Sequence, residues 1–270
     1  MVDTPLDYTT FFEANKEGWN KRTDVHKSSA FYDVNSFKKG KSSLQKTELD
    51  ALGDVTNKYL LHLQCHFGLD TLSWARMGAM VTGIDLSNSA IEYAKELSTE
   101  LKIPADFICC NVYDLKDYLQ QPYDIIFTSY GVIGWLPNLQ KWAEIIRDFL
   151  KPGGIFYMVE FHPVVWMMDE NFEKIKYYYH NEETIIIESK GTYTDRDAPI
   201  EYVEYSWNHS LSEVVNSLIG AGLTIQSLNE YPFSNYNCFN NMEANEEGSW
   251  TVKGMKNKLP MMYSIKAVKP

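Results

Sequence analysis

The stretch Tyr59–Ser87, YLLHLQCHFGLDTLSWARMGAMVTGIDLS, reads as strand, tight turn, helix and second strand, with an acid where the second strand ends. Tyr59–Leu63 is a short apolar run suited to a buried parallel strand, and the turn Gln64–Gly68 ends on a residue without a Cβ. Asp70–Met77 has helical spacing, with Leu69, Leu72 and Ala75 or Arg76 on adjoining turns, and Gly78 stops it. Ala79–Ile84 is again strand-like, and Asp85 follows. A right-handed strand-helix-strand unit brings the turn and Asp85 together at the carboxyl edge of a parallel sheet, where a nucleoside fits. Backbone N–H groups of such a turn approach a polar or anionic group, while the Asp85 carboxylate can accept from both hydroxyls of a ribose.

A dinucleotide needs Gly-x-Gly-x-x-Gly at this turn so that backbone can touch a pyrophosphate, and Gln64-Cys65-His66-Phe67-Gly68 lacks that pattern. The stretch instead resembles the first two motifs of the class I S-adenosylmethionine-dependent methyltransferases, whose turn is acidic-x-Gly-x-Gly-x-Gly. On that alignment His62 stands at the acidic position, Gln64 and His66 at the first two glycines and Gly68 at the third. The run LHLQCHFGLDTLSWARMGA is also similar to a bacterial subgroup that carries this Gln/His turn. The resemblance implies S-adenosylmethionine as cofactor, bound by His62, Gln64, Cys65, His66 and Gly68 around the turn and by Asp85 and Leu86 after the second strand.

Composition limits the partners. The chain has 270 residues, a net charge of −11 and a pI near 5.0, so its field repels phosphate backbones and no nucleic-acid partner is expected. The basic run over Lys38–Lys46 reads as a solvated loop. Four cysteines show no paired metal spacing, and adjacent Cys109 and Cys110 rarely bridge each other, which suits reduced thiols in a cytoplasm. His62, Cys65 and His66 mix strand and turn positions, and no carboxylate-bearing helix motif accompanies them, so no metal site is assigned. The N-terminus lacks a basic start followed by an apolar run, and no segment approaches the ~20 apolar residues of a membrane span. A soluble, unexported protein with no membrane partner is expected.

Residues 1–57 exceed what a nucleotide-binding fold requires, and their scattered aromatics suit one or two short helices forming an N-terminal cap. If this cap folds over the pocket, Asn20, Lys21, Arg22 and His26 can meet a carboxylate; Trp19 and Arg22 are placed with the cofactor-binding set. Ser87 is a helix N-cap, with Ala90, Ile91, Ala94 and Leu97 as the apolar stripe behind it. Ala105–Cys110 is the third strand, and Asn111 follows where the family usually has an acid that accepts from the adenine amino group. An amide oxygen can accept that bond too; Asn111 and Val112 are assigned to the adenine, and an Asn-turn is a compatible reading.

The fourth strand is Ile125–Ser129, and Ser129 and Tyr130 stand where amino-methylating enzymes of DNA and protein carry Asn-Pro-Pro-Tyr; Ser129 is placed with the cofactor-binding set. The helix Leu139–Leu150 and the turn Lys151-Pro152-Gly153-Gly154 continue the resemblance into a fifth strand, Ile155–Phe161. At its carboxyl end Glu160 and His162 share a strand face and are read as general base and orienting group, with Tyr130 as a third catalytic candidate; a structural His is the competing reading. Residues 164–207 read as an inserted antiparallel unit of two or three strands, from Lys176–His180, Thr184–Thr192 and Ile200–Tyr205, covering the substrate mouth. Edge protection or a homodimer contact is the other reading of this insertion. A final helix, Glu213–Ile219, precedes strands Leu223–Leu228 and Met261–Val268, with a polar loop over Ser234–Gly248.

The expectation is a Rossmann-like α/β fold: a seven-stranded, mostly parallel sheet with its last strand antiparallel and helices on both faces. Residues 1–57 form the cap and 58–270 the core. The expected activity is methyl transfer to a small molecule by in-line displacement in an enclosed pocket, where positioning and desolvation carry the catalysis and a dedicated base is optional. A non-catalytic binder of the same cofactor or its product and a nicotinamide-dependent oxidoreductase are the alternatives.

Overall fold

The first five sheet strands are apolar in near-continuous runs, which is what burial on both faces demands. The fold is a computed structural model that describes residues 7–245 and 248–270. Residues 1–6 of the expected cap and 246–247 of the expected loop lie outside the described residues. Along the chain come α1 (Thr9–His26), α2 (Val34–Lys38), α3 (Lys46–Leu52), β1 (Tyr59–Leu63), α4 (Leu69–Arg76), β2 (Met80–Asp85), α5 (Asn88–Leu101), β3 (Asp106–Cys109) and β4 (Tyr123–Ser129). After these come α6 (Leu139–Phe149), β5 (Leu150–Phe161), α7 (Pro163–Trp166), β6 (Ile185–Lys190), β7 (Glu201–Ser206), α8 (Leu211–Gly220), β8 (Thr224–Tyr231), β9 (Met242–Ala244), β10 (Trp250–Val252) and β11 (Met262–Val268).

Seven strands pair in the order β3-β2-β1-β4-β5-β11-β8, and β11 runs antiparallel to both its neighbours while the others run parallel. The strand order reverses between β1 and β4, which opens a crevice at the carboxyl ends of β1, β2 and β4. Alternation along β1 feeds two cores. Leu61 and Leu63 join Ile126, Met158 and Ile265 beneath α6 and α8, whereas Leu60 joins Phe127 and Val159 beneath Trp74 of α4 and Leu52 of α3. On α5 the buried residues are Ala90, Ile91, Ala94 and Leu97, the expected stripe, and the Ser87 side chain accepts from Ala90 N–H. On α6 they include Leu139, Trp142, Ala143, Ile146 and Phe149, spaced three and four apart.

Four local expectations change. The cap is one helix of 18 residues with two shorter ones. The Lys-Pro-Gly-Gly turn lies inside β5, because Lys269 closes on Gly153 and Gly154 by two backbone hydrogen bonds. No strand covers Lys176–His180; the Asn208 side chain donates to Tyr178 O at 2.7 Å, so a side chain takes the place of a ladder partner. The segment expected as a polar loop contains β9, paired antiparallel with β10, and packs Tyr236, Cys238 and Phe239 around Phe161.

Gly68 carries the entry to α4. Its φ is +77°, and a Cβ there would lie 2.6 Å from the Phe107 ring. Left-handed backbone costs a side-chain-bearing residue about 1–2 kcal/mol and overpacking adds about 1–3 kcal/mol. Gly68→Ala is therefore expected to lower unfolding free energy by about 2–4 kcal/mol in urea titration; a change within about 0.5 kcal/mol contradicts this account.

Candidate functional site

The turn after β1 holds three left-handed residues in alternation: Gln64 (φ 54°), His66 (φ 51°) and Gly68 (φ 77°). The conformation turns the His66 N–H toward the end of β2. Asp85 Oδ2 accepts from it at 2.8 Å, Oδ1 accepts from Ser87 N–H at 2.8 Å, and the Leu86 N–H also acts on the carboxylate. Burial lifts the Asp85 pKa to about 6 against the pull of these N–H groups. The two non-glycine residues cost about 1–2 kcal/mol each in backbone strain. Local bonds and packing offset this: Gln64 Nε2 donates to Val132 O at 2.9 Å, and the His66 ring stacks on Tyr32 with centroids 5.2 Å apart.

Above this edge lies a cavity of about 530 Å³. Every residue assigned from the sequence to cofactor binding lines it: Trp19 and Arg22 from α1; His62, Gln64, Cys65, His66 and Gly68 from β1 and its turn; Asp85 and Leu86; Asn111 and Val112; and Ser129. Asn111 Oδ1 already accepts from Tyr113 N–H at 3.1 Å, closing the Asn-turn and starting a 3-10 helix over Val112–Asp117. Gln64 Oε1, His66 Nδ1 and Arg22 Nε are buried without hydrogen-bond partners, so the cavity wall carries an unused acceptor, an unused donor and a ring nitrogen whose role follows its tautomer.

The cover over the cavity comes from two distant parts of the chain. Asn15 of α1 donates through Nδ2 to Tyr205 O at 2.8 Å and accepts through Oδ1 from Tyr205 N–H at 2.8 Å, so its amide imitates a neighbouring strand along the edge of β7. Gly18 lets the helix approach, since a Cβ there would stand 3.2 Å from the Tyr202 ring. Arg22 pairs with Glu204 and lies against Trp19, Trp135 and Tyr202 at 4.7, 5.2 and 4.3 Å from their centroids. At the end of α1, His26 Nε2 meets Thr192 Oγ1 at 2.6 Å and Nδ1 lies 3.3 Å from His66 Nε2, which ties cap, insertion and turn together. Burial, then the Arg22 charge, lowers the His26 pKa to about 3. The other polar residues expected to meet a ligand are committed elsewhere: Asn20 Oδ1 accepts from Ser87 Oγ at 2.7 Å, and Lys21 Nζ donates to Glu201 O at 3.0 Å.

The same cavity also reaches Ser129, Asp70 and Tyr130. Ser129 Oγ donates to Asp70 Oδ2 at 3.2 Å and lies 3.3 Å from His62 Nε2, while His62 Nδ1 lies 2.8 Å from Thr71 Oγ1. With Ser129 donating to Asp70, these bonds fit the Nε2–H tautomer of His62, and burial lowers its pKa to about 3. Burial raises the Asp70 pKa, offset in part by Ser43 and Ser129. The Tyr130 hydroxyl donates to Glu48 Oε2 at 2.9 Å and accepts from Asn235 at 2.7 Å, so the ring lines the cavity while the hydroxyl is tied to α3 and the β8–β9 connection.

Glu160 and His162, expected to face the pocket, line none of the cavity. The buried Glu160 carboxylate accepts from the N–H groups of Gly131, Val132 (2.7 Å), Ile133 (3.2 Å) and Phe161 (2.6 Å), which shapes the loop after β4. His162 caps α7 through Val164 N–H and bonds Glu230 at 2.8 Å. The sequence reading also passed over Asp70, Tyr193, Glu204, Tyr236 and Phe239, all of which line the cavity. Asp70 lies inside the motif, two residues after Gly68, and was the one within reach; the others belong to segments without family motifs.

The chain is similar to known proteins in sequence and in fold. Residues 61–158 match the family described as "Methyltransferase domain". A ubiquinone biosynthesis O-methyltransferase of Saccharophagus degradans is 30% identical over 115 residues, which cover 42% of this chain and 48% of that protein. The chain spans about half the length of the curated relatives it matches. A solved structure from Listeria monocytogenes covers 83% of this chain and 97% of its own at a TM-score of 0.58 and 21% identity. An S-adenosylmethionine-dependent methyltransferase structure from Clostridium acetobutylicum covers 94% and 98% at a TM-score of 0.57 and 11% identity. The fold is the Rossmann-like fold of the methyltransferases, and residues 61–158 carry the matching domain.

Asn15→Ala removes two hydrogen bonds from a buried edge and strands the Tyr205 backbone. It is expected to cost about 1–3 kcal/mol and to speed amide exchange at Tyr205 more than at the β1 amides; unchanged exchange at Tyr205 would show that the cap is not docked through this amide.

Proposed function

We propose that this chain transfers a methyl group from S-adenosylmethionine to a small-molecule acceptor. The observation that carries the reading is the Asp85 carboxylate, anchored by backbone N–H groups and lining the cavity, at the edge of a methyltransferase fold. Asp85 accepts from the ribose hydroxyls, and Asn111 and Val112 border the adenine. The orphaned atoms suit a zwitterion: Gln64 Oε1 accepts from the ammonium and Arg22 Nε–H donates to the carboxylate. When bound, S-adenosylmethionine supplies an electrophilic methyl on a sulfonium whose thioether leaves readily. The protein's part is to orient both partners and to exclude water, which the cap, the insertion and the aromatic walls accomplish. Glu160 and His162 are given no proton-transfer role in this reading. The Gln/His turn is taken as a family variant; its support is that Gln64 and His66 keep the left-handed backbone that glycines would supply. The acidic balance of the chain supports a small acceptor over a nucleic acid.

Calorimetry tests the assignment. S-adenosylhomocysteine is expected to bind, with an affinity that falls about 100-fold in Asp85→Ala through loss of two charge-assisted hydrogen bonds, and NADH is expected not to bind. Binding of NADH without either sulfur ligand overturns the reading. Because the Asp85 pKa is raised to about 6 in the fold, the free protein gains stability from this group as pH falls from 6 toward 4. Cofactor affinity moves the opposite way, since the carboxylate form binds: between pH 7 and pH 5 it is expected to drop about tenfold, and this loss is absent from Asp85→Asn.

A further inference from the structure

The cavity wall is unbalanced in charge. Among the described residues its cations are Arg22 and Lys41, and the charge of each is balanced by a paired carboxylate, Glu204 and Asp33. His62 and His66 are held neutral by burial. Asp85 and Asp70 remain, and Asp70 makes no ion pair among the described residues; its recorded partners are serine hydroxyls. A bound S-adenosylmethionine carries net charge +1, from a sulfonium, an ammonium and a carboxylate. With Asp70 ionised one negative charge is left over, beside Ser129; burial raises the Asp70 pKa, so a cation at this place is what favours the carboxylate form.

Rings wall the cavity around Asp70, whose charge acts on Tyr32 and Tyr236. Tyr32 and Tyr193 join through their hydroxyls, and Phe31 lies 5.3 Å from Tyr193 and 5.6 Å from Tyr236, which meets Tyr130 edge-on at 4.9 Å. Ring faces attract cations, most strongly where water is excluded. A cationic acceptor holds Asp70 as the carboxylate and gains its charge, a neutral one meets the protonated acid and gains none, and an anionic one is opposed. We propose that the part of the cavity bounded by Asp70 and these rings takes an acceptor bearing an aromatic ring and a protonated amine, with Asp70 as the counter-ion. The proposal rests on the methyl-transfer reading for calling this ligand the acceptor.

The test is calorimetry on the full chain saturated with S-adenosylhomocysteine, using three ring compounds of one size: tyramine, neutral 4-ethylphenol and anionic 4-hydroxyphenylacetate. Tyramine is expected to bind at least about tenfold tighter than 4-ethylphenol, with 4-hydroxyphenylacetate weakest. Asp70→Asn is expected to abolish the tyramine preference while S-adenosylhomocysteine affinity stays within about twofold. Equal or tighter binding of 4-ethylphenol, or binding of none of the three, overturns the proposal. So does an Asp70→Asn variant that loses S-adenosylhomocysteine as strongly as tyramine, which would assign the carboxylate to the methyl donor. If circular dichroism shows Asp70→Asn unfolded, Tyr236→Leu keeps the carboxylate and removes a ring; it is expected to weaken tyramine several-fold, and unchanged affinity counts against the cage. If S-adenosylhomocysteine does not bind at all, the three compounds are compared without it: their order still decides the proposal for Asp70 and its rings, and the missing product binding counts only against the methyl-transfer reading.

Discussion

One hydrogen bond, from the His66 N–H to the Asp85 carboxylate, joins the ends of β1 and β2 at the point where the site begins. It exists only because the turn adopts left-handed backbone at three alternating positions. Had Gln64 or His66 relaxed to right-handed backbone, the amide would rotate away and Asp85 would lose one of its anchors. The strain is sustained by the ring packing on His66 and the Gln64–Val132 bond, so the residues that replace glycine supply the contacts that hold them in place. Strain of this kind persists where surrounding structure over-determines it.

The cover over the site uses main-chain mimicry. Asn15 offers β7 the donor and acceptor of a peptide unit, so a helix and a strand edge meet without an unpaired backbone group. The same contact blunts a sheet edge that would otherwise be open to pairing with another chain. Arg22, stacked among three rings and paired with Glu204, and His26, bridging Thr192 and His66, make cap and insertion one body across the cavity.

What could be read from the sequence follows the range over which each signal acts. The buried strands, the Ser87 cap and the α5 stripe are set by neighbours within a few positions, and they lie where the residues place them. The motif residues from His62 to Ser129 converge on the cavity because strand order follows from right-handed crossovers. Glu160 and His162 were misplaced because alternation along β5 tells which residues share a face but not what covers that face; here it is a loop of N–H groups on one and Glu230 on the other. The stretch around Tyr236 and Phe239 looked like a polar loop because its apolar residues are sparse and follow neither helical nor strand spacing, and its packing partners are on β5 and α7.

The Asn15 contact spans 190 residues of sequence. A helix made near the start of the chain therefore has to wait, during synthesis, until β7 emerges before it can settle. The central sheet strands β1 to β5 lie between the two and can condense in the interval. Closing so long a loop is entropically costly, though the cost grows only logarithmically with length. The enclosure over the crevice is thus a late event of assembly, and a nascent chain holds an open crevice before it holds a closed one.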